Sequence, residues 1–140
     1  RYHARSNYAQ LFSQYRQYGY WKVFVNTKHF TVATWRQMAP AALLMSTMLL
    51  SGLALAGLLQ PEGAGLLSLA GPALGTIWGL WLLGALGAMA LAGIAFRDAF
   101  GVFRTFMTLH VAYGWGYCQG IWQFVLRRKA PAAEFKSLTR

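Results

Sequence analysis

Charged residues are scarce in this chain, and acidic ones are nearly absent. Only 11% of the residues are charged and 56% are hydrophobic, whereas a soluble domain usually has about a quarter charged residues. The three acidic residues, Glu62, Asp98 and Glu134, lie far apart in the sequence. Because of this scarcity, the spacing of the acids shows neither a paired-carboxylate active site nor an acidic metal site. It also indicates that lipid surrounds part of the chain.

Other catalytic and metal-binding patterns are also missing. The single cysteine, Cys118, allows no internal disulfide, and His3, His29 and His110 lack the spacing of metal ligands. No G-x-S-x-G, P-loop or G-x-G-x-x-G motif occurs. We therefore predict no catalytic residue, metal site or cofactor site in this chain alone. His110 is a candidate functional residue, because an ionisable group in an apolar segment is costly.

The charge that is present is basic and clustered. Thirteen Lys and Arg residues against three acids give a net charge of +10, which occurs in nucleic-acid binders and at membrane boundaries alike. The cations lie at the two ends and in one short connection, beside long apolar runs. Anionic headgroups favour this clustering, so we expect membrane lipids as partners and no nucleic acid.

Two charge-free runs are long enough to cross a membrane. The first covers about 38–59, and the second covers about 74–96, after the helix-breaking pair Gly71-Pro72. At about 1.5 Å per helical residue, each can cross a hydrocarbon layer roughly 30 Å thick. A third run at 105–126 is less apolar, and it either spans the membrane or re-enters it. The predicted fold is an all-α membrane protein with an amphipathic interface helix, a transmembrane helical hairpin and this third apolar helix.

The Lys and Arg residues predict the orientation. Residues 1–36 carry cations and no acid, which places them in the cytoplasm by the positive-inside rule, while the connection between the first two spans carries only Glu62. If 105–126 crosses, the tail lies outside against the rule; if it re-enters, the tail stays inside. The expected organisation is an interface region (1–36), a transmembrane region (37–126) and a basic tail (127–140) of disorder-like composition.

Residues 8–19 predict an amphipathic helix at the membrane surface. At about 100° per residue, one side is aromatic and apolar and the other is polar. The apolar side consists of Tyr8, Leu11, Phe12, Tyr15, Tyr18 and Gly19. Tyr and Trp favour the headgroup level, where such a helix lies flat. Because the pattern changes phase after Gly19, this residue is predicted to bend or end the helix.

Glycines recur in the apolar segments at the spacing of packed helices. Gly75 and Gly79 form one small-xxx-small pair, and Gly116 and Gly120 form another. Small residues let helix backbones approach closely where lipid supplies no hydrophobic drive. The pairs therefore predict helix contacts in the membrane region.

Three short motifs follow one another in a fixed order. They are RYHARSNYAQLFSQYRQYGYWKV at 1–23, RQMAP at 36–40 and HVAYGWGYCQG at 110–120. In this order they resemble the C-terminal membrane region of bacterial family 2 glycosyltransferases, of the type that makes succinoglycan and other exopolysaccharides. The string QYGYW at 17–21 is also similar to the Q-x-x-R-W motif of related polymer synthases, with Tyr20 where that motif has arginine.

The resemblance implies an enzyme whose chemistry lies upstream of Arg1. The catalytic domain expected there would hold Mg or Mn and a nucleotide sugar, and it would transfer sugar to a lipid-linked or glycan acceptor. This chain would anchor the enzyme in the bacterial inner membrane, with its N-terminal segment in the cytoplasm, and face the acceptor. The candidate residues near the acceptor or the nucleotide are Gln14, Arg16, Gln17, Tyr20, Trp21 and Lys22.

A second hypothesis comes from a different class of protein. The chain could be a non-enzymatic small helical membrane protein that assembles with a partner. The start at Arg1 rather than at a methionine, and the order of the motifs, favour the enzyme. A basic nucleic-acid binder is a third hypothesis. The long apolar runs argue against it.

Overall fold

Most of the described residues of the chain are helical. The computed structural model describes residues 7–29, 35–60 and 65–136, and no β-strand occurs within these ranges. The prediction of an all-α fold is confirmed. The helices are α1 (Tyr8–His29), α2 (Ala39–Leu59), α3 (Ala70–Leu91), α4 (Phe96–Gly120) and α5 (Ala133–Lys136). Short 3₁₀ turns cover Trp35–Gln37 and Gly65–Leu69, and a π-helical turn, Ile121–Leu126, continues α4.

The helices divide into two compact units. The terminal unit combines the described parts of 1–42 with those of 105–140, and the central unit consists of the described parts of 43–104. The N-terminal region, the third apolar segment and the tail, which the sequence places in three separate regions, thus belong to one unit.

The central unit exposes apolar side chains along both of its long helices. The runs Ala39–Leu59 and Gly65–Leu91 are each long and apolar enough to cross a membrane. Leu58 is 78% exposed and Leu83 is 67% exposed, an apolar surface that suits lipid better than water. Within this unit the indole Nε1–H of Trp78 donates to Thr47 Oγ1 at 3.0 Å, which links α3 to α2.

The second long helix begins earlier and ends earlier than predicted. The expectation that Gly71-Pro72 breaks the helix is wrong, because α3 already begins at Ala70. Proline is tolerated in the first turn of a helix, where its missing N–H has no intrahelical acceptor. Pro72 therefore lies within the first turn of this helix instead of interrupting it.

The C-terminus of α3 is closed by a glycine. Gly93 has a φ of 66°, and its N–H donates to the Ala90 carbonyl at 3.0 Å. The N–H of Ile94 donates to the Met89 carbonyl at 3.1 Å. These two bonds form a Schellman motif, which satisfies the last carbonyls of the helix. The second predicted span, expected to reach 96, stops at Leu91 for this reason.

Helix α1 runs without interruption past Gly19. The predicted helix end at Gly19 is wrong, because α1 continues to His29. The buried residues of α1 are Gln17, Gly19, Tyr20 and Val23. Tyr18, which belongs to the predicted apolar side, is 51% exposed. The buried stripe is thus a different one from the aromatic stripe read from the sequence.

The backbones of α1 and α4 touch at three glycines. A Cβ atom at Gly19 would overlap the backbone of Tyr113, and one at Gly116 would overlap the backbone of Arg16. A Cβ at Gly120 would lie 2.9 Å from the carbonyl oxygen of Tyr20. The Gly116–Gly120 pair therefore lies at a helix contact, as its spacing predicts.

The other predicted pair does not mediate such a contact. A Cβ atom built at Gly75 or at Gly79 meets no atom within 4 Å in the structure. These two glycines of α3 have room for a methyl group, so their spacing alone does not indicate a partner helix.

The tail folds back onto α1. After the π-helical turn the chain reverses at Arg128, which has a φ of 50°, and the N–H of Lys129 donates to the Gln123 carbonyl at 3.0 Å. Phe135 then enters the core of the terminal unit, where it is 3% exposed. The buried members of this core are Tyr20, Val23, Ala41, Tyr117, Phe124 and Phe135. Although its composition is disorder-like, the tail packs on the terminal unit up to residue 136, where the described part of the chain ends.

We predict that Gly116→Ala destabilises the protein, although alanine favours a helix over glycine. The new methyl group must displace the Arg16 backbone, and such overpacking costs about 2 kcal/mol. The free energy of unfolding, measured by titrating detergent-solubilised protein with SDS, should fall accordingly.

The matched control is Gly79→Ala in α3, where the methyl group meets open space. This variant should gain up to about 1 kcal/mol from helix propensity. Equal free energies of unfolding for the two variants would contradict the close contact of α1 with α4.

Candidate functional site

Three of the six predicted site residues bind the C-terminal segment directly with their polar ends. Arg16 Nε donates to Gln119 Oε1 at 2.7 Å, and an Arg16 Nη donates to Glu134 Oε1 at 2.8 Å. The Gln17 side chain is buried, and its Nε2 donates to the Phe135 carbonyl at 3.0 Å. These side chains use their hydrogen bonds within the fold.

Tyr20 is a third member of this contact. It is 1% exposed, and its hydroxyl accepts a hydrogen bond from the Ala132 N–H at 2.9 Å. Its ring stacks on Phe135, with the centroids 3.8 Å apart and the planes at 7°. The Q-x-x-R-W motif has arginine at this position. A tyrosine this deeply buried cannot reach a phosphate in solution, so its role here is to hold the tail on α1.

The other three predicted residues lie on the opposite side of α1. Gln14, Trp21 and Lys22 fall on one face together with Tyr18 and Val25, because the spacing of these five positions follows the helical repeat. We call this set the α1 stripe. Tyr18 is 51% exposed and Val25 is 44% exposed. Gln14, Trp21 and Lys22 themselves are half-buried, and Trp21 also packs against the core of the terminal unit. The structure therefore divides the six candidates between an internal contact and a partly exposed face.

The polar groups of the α1 stripe are spaced about one helical turn apart. Gln14 Nε2 donates to Tyr18 Oη at 2.7 Å. Lys22 is half-buried, and it makes no hydrogen bond or ion pair with the residues that the structure describes. Trp21 packs edge-on against Phe24, with ring centroids 5.6 Å apart. An amide, a phenol and an ammonium in a row can bind hydroxyls and an anionic group together.

His110, the remaining candidate, lines a cavity in the terminal unit. This cavity, which we call the Arg36 cavity, has a volume of about 260 Å³. Its lining residues are Tyr15, Arg36, Gln37, Pro40, Leu109, His110 and Tyr113. His110 Nδ1 lies 2.9 Å from the carbonyl oxygen of Phe106 and donates its proton there, since a carbonyl can only accept. His110 thus lines the cavity, and the hydrogen bond to the Phe106 carbonyl of the same helix orients its ring.

The described residues contain no group of three His, Cys, Asp or Glu side chains that could hold a metal ion. Of the two described acids, Asp98 accepts from its neighbour Arg97 at 3.5 Å and Glu134 pairs with Arg16. The polar groups of the candidate site residues include amides, hydroxyls, an imidazole and cations.

Comparison with known proteins yielded no match: no family model, no curated protein and no solved structure resembles the chain significantly. The candidate site is accordingly defined by its own geometry, as the α1 stripe and the Arg36 cavity.

Sequence reasoning missed two parts of this site. Tyr18 was assigned to an apolar face, although it lies between Gln14 and Lys22 on the exposed stripe. The spacing of residues 14, 18 and 22 in a continuous helix is the signal that could have found it. The Arg36 cavity joins α1, the start of α2 and α4, which are far apart in the sequence, and no local pattern indicates that meeting.

We predict that Phe135→Ala releases the C-terminal segment from α1. The loss of a buried aromatic ring costs about 3 kcal/mol, so the segment should open far more often. Trypsin should then cut at Arg127, Arg128 or Lys129 at least about tenfold faster, since proteolysis follows the population of the open form.

Phe100→Ala is the matched control, because Phe100 is 76% exposed. Its cleavage rate at the same three sites should equal that of the wild type. Unchanged cleavage in Phe135→Ala would mean that the tail is held by other contacts.

Proposed function

We propose that this chain is the membrane-anchoring, acceptor-facing C-terminal region of a glycosyltransferase. The enzyme would transfer sugar from a nucleotide-sugar donor to a lipid-linked or polysaccharide acceptor at the cytoplasmic face of a bacterial inner membrane. The observation that carries the proposal is a spatial one. The described parts of the three motifs, at 1–23, 36–40 and 110–120, all belong to the terminal unit.

The motif at 110–120 supports the proposal through its contacts. Its small residues Gly116 and Gly120 meet the backbone of α1 beside Arg16 and Tyr20, which belong to the first motif. Three short matches that arose by chance would have no reason to meet in space. Their meeting favours one shared role, in which α4 and the tail hold α1 in place.

The α1 stripe is the surface on which acceptor or nucleotide contacts would fall. Lys22 can pair with a phosphate, and the Gln14 amide and Tyr18 hydroxyl can bond sugar hydroxyls. Trp and Tyr rings can also cover the apolar face of a sugar. Bond breaking and metal binding belong to the proposed upstream catalytic domain. The residues of this chain bind, orient and anchor.

The contact between the tail and α1 bears on the third apolar segment. Glu134 pairs with Arg16, which favours a position of the tail and α1 on the same side of the membrane. If α2 and α3 both cross, the start of α4 is also on that side. The segment between the start of α4 and the tail would then begin and end on the same side of the membrane. We infer that 105–126 lies at the interface or re-enters.

Exposed tryptophans on α4 support an interfacial position. Trp115 is 42% exposed and Trp122 is 54% exposed, and two turns of helix place them on one face. The Arg127 guanidinium carbon lies 5.1 Å from the centroid of the Trp122 ring. Tryptophan beside arginine is typical of the headgroup level of a bilayer.

We predict that Lys22→Ala in the complete enzyme lowers glycosyl transfer. The loss of a charge-assisted contact with phosphate costs about 1.5–3 kcal/mol, which is roughly a tenfold or greater reduction. Transfer from labelled nucleotide sugar to a membrane lipid extract measures it. Lys28→Ala, at the exposed end of the same helix, is the control and should keep full activity. Equal activity of both variants, at equal membrane levels, would argue against an acceptor-facing α1.

The inferred sidedness can be tested with single cysteines in a Cys118→Ala background. A membrane-impermeant maleimide should label Lys28→Cys and Ala133→Cys from the cytoplasmic side and Gln60→Cys from the opposite side. The three positions are exposed in the structure. Labelling of Ala133→Cys from the same side as Gln60→Cys would show a full third crossing.

A further inference from the structure

The Arg36 cavity has an almost entirely apolar wall, and one of the residues that line it is cationic. Nearly all of its accessible wall is carbon, contributed by Pro40, Leu109 and the aromatic rings around them. Arg36, which also lines the cavity, is exposed. It forms no ion pair with either carboxylate that the structure describes, because Glu134 pairs with Arg16 and Asp98 with Arg97. A ligand that uses both features has an apolar part and an anionic part.

Two further polar groups lie at the cavity. Gln37 Oε1 and Tyr113 Oη are buried and make no hydrogen bond within the described part of the chain. Buried polar atoms in proteins are almost always hydrogen-bonded. The Tyr113 hydroxyl is a possible donor to the ester or phosphate oxygens of a ligand, and this bond requires its side chain to turn toward the cavity, because the hydroxyl is buried in the structure.

The position of the cavity determines which amphiphile it meets. Pro40 lies in the first turn of α2, a helix that is long and apolar enough to cross a membrane. The start of such a helix lies near the lipid headgroups. The volume of about 260 Å³ is just below the range of about 300–1,000 Å³ typical of pockets that enclose a whole ligand. It suits part of a hydrocarbon chain better than an entire molecule.

We propose that the Arg36 cavity binds an anionic phospholipid, with one acyl chain against the apolar wall and the phosphate paired with Arg36. The bound lipid fills the space between α1, the start of α2 and α4 within the terminal unit. The proposal rests on α2 being a membrane helix and does not depend on glycosyl transfer. The cavity is separate from the α1 stripe, so both can be occupied together.

The test measures lipid retention by the full chain in detergent. Purified protein is incubated with phosphatidylglycerol or with phosphatidylcholine, and bound lipid is counted by native mass spectrometry. We expect phosphatidylglycerol to bind at least about tenfold more tightly, and Arg36→Gln to remove that preference, since a charge-assisted contact is worth about 1.5 kcal/mol or more. Leu109→Trp, which fills the cavity, should lower the binding of both lipids.

Arg127→Gln is the matched control, because it removes the same charge just after the π-helical turn that continues α4, outside the cavity. It should keep the preference for phosphatidylglycerol. An equal loss in Arg36→Gln and Arg127→Gln would overturn the proposal in favour of diffuse electrostatic attraction. If millimolar glycerol phosphate displaces phosphatidylglycerol from the wild-type protein, the cavity is a free-phosphate site and the lipid proposal is overturned. If Leu109→Trp does not fold, Leu109→Phe serves the same purpose, and unchanged lipid binding in that variant would exclude the cavity.

Discussion

The close backbone contact between α1 and α4 is the constraint on which the terminal unit depends. At Gly19 and Gly116 the backbone of one helix lies directly against the backbone of the other, and Gly120 makes room for Val23 and for the carbonyl of Tyr20. Helix association in or near lipid gains little from the hydrophobic effect, so it depends on this kind of close packing. The contact also explains why the buried stripe of α1 is not its most aromatic one. A helix face of large rings cannot come as close as one that carries a glycine.

Once α1 and α4 are in contact, the short segment that follows α4 is enough to bring the tail onto α1. The relative strength of its contacts can be judged from burial. The Arg16–Glu134 pair has side chains 30% and 60% exposed, and such a surface ion pair contributes about 0–1 kcal/mol. Burial of an aromatic side chain such as Phe135 contributes about 1.5–3 kcal/mol. The stacking of Phe135 on Tyr20 is therefore the main contact that holds the tail on α1, and the ion pair contributes less.

The sequence predicts the features that depend on composition over a long window. Two long charge-free runs were sufficient to predict the two apolar helices, since no other fold of such a run satisfies its backbone in lipid. The Gly116–Gly120 pair was also recognisable by spacing. The end of α3 at Leu91 was not, because a glycine such as Gly93 is common inside membrane helices and acts as a cap only with the bonds that follow it.

The division of α1 into two faces could not be predicted, for a different physical reason. A helical wheel ranks residues by polarity, and it places Gln17 on the polar side and Tyr18 on the apolar side. The fold reverses both. Gln17 is buried because the Phe135 carbonyl satisfies its amide, while Tyr18 stays exposed because the glycine face has taken the contact with α4. Polarity alone carries no information about a partner that lies more than a hundred positions away.

This reversal changes how the resemblance to Q-x-x-R-W should be understood. Gln17 and Tyr20, at two positions of that motif, are held inside the fold, and the tyrosine replaces the one member that carries charge. In the proposed function, a ligand at the membrane surface meets the opposite side of the same helix, where Lys22 would supply the cation. The inner side fixes the rotation of α1 about its axis, and that rotation is what aligns Gln14, Tyr18 and Lys22 on one partly exposed face.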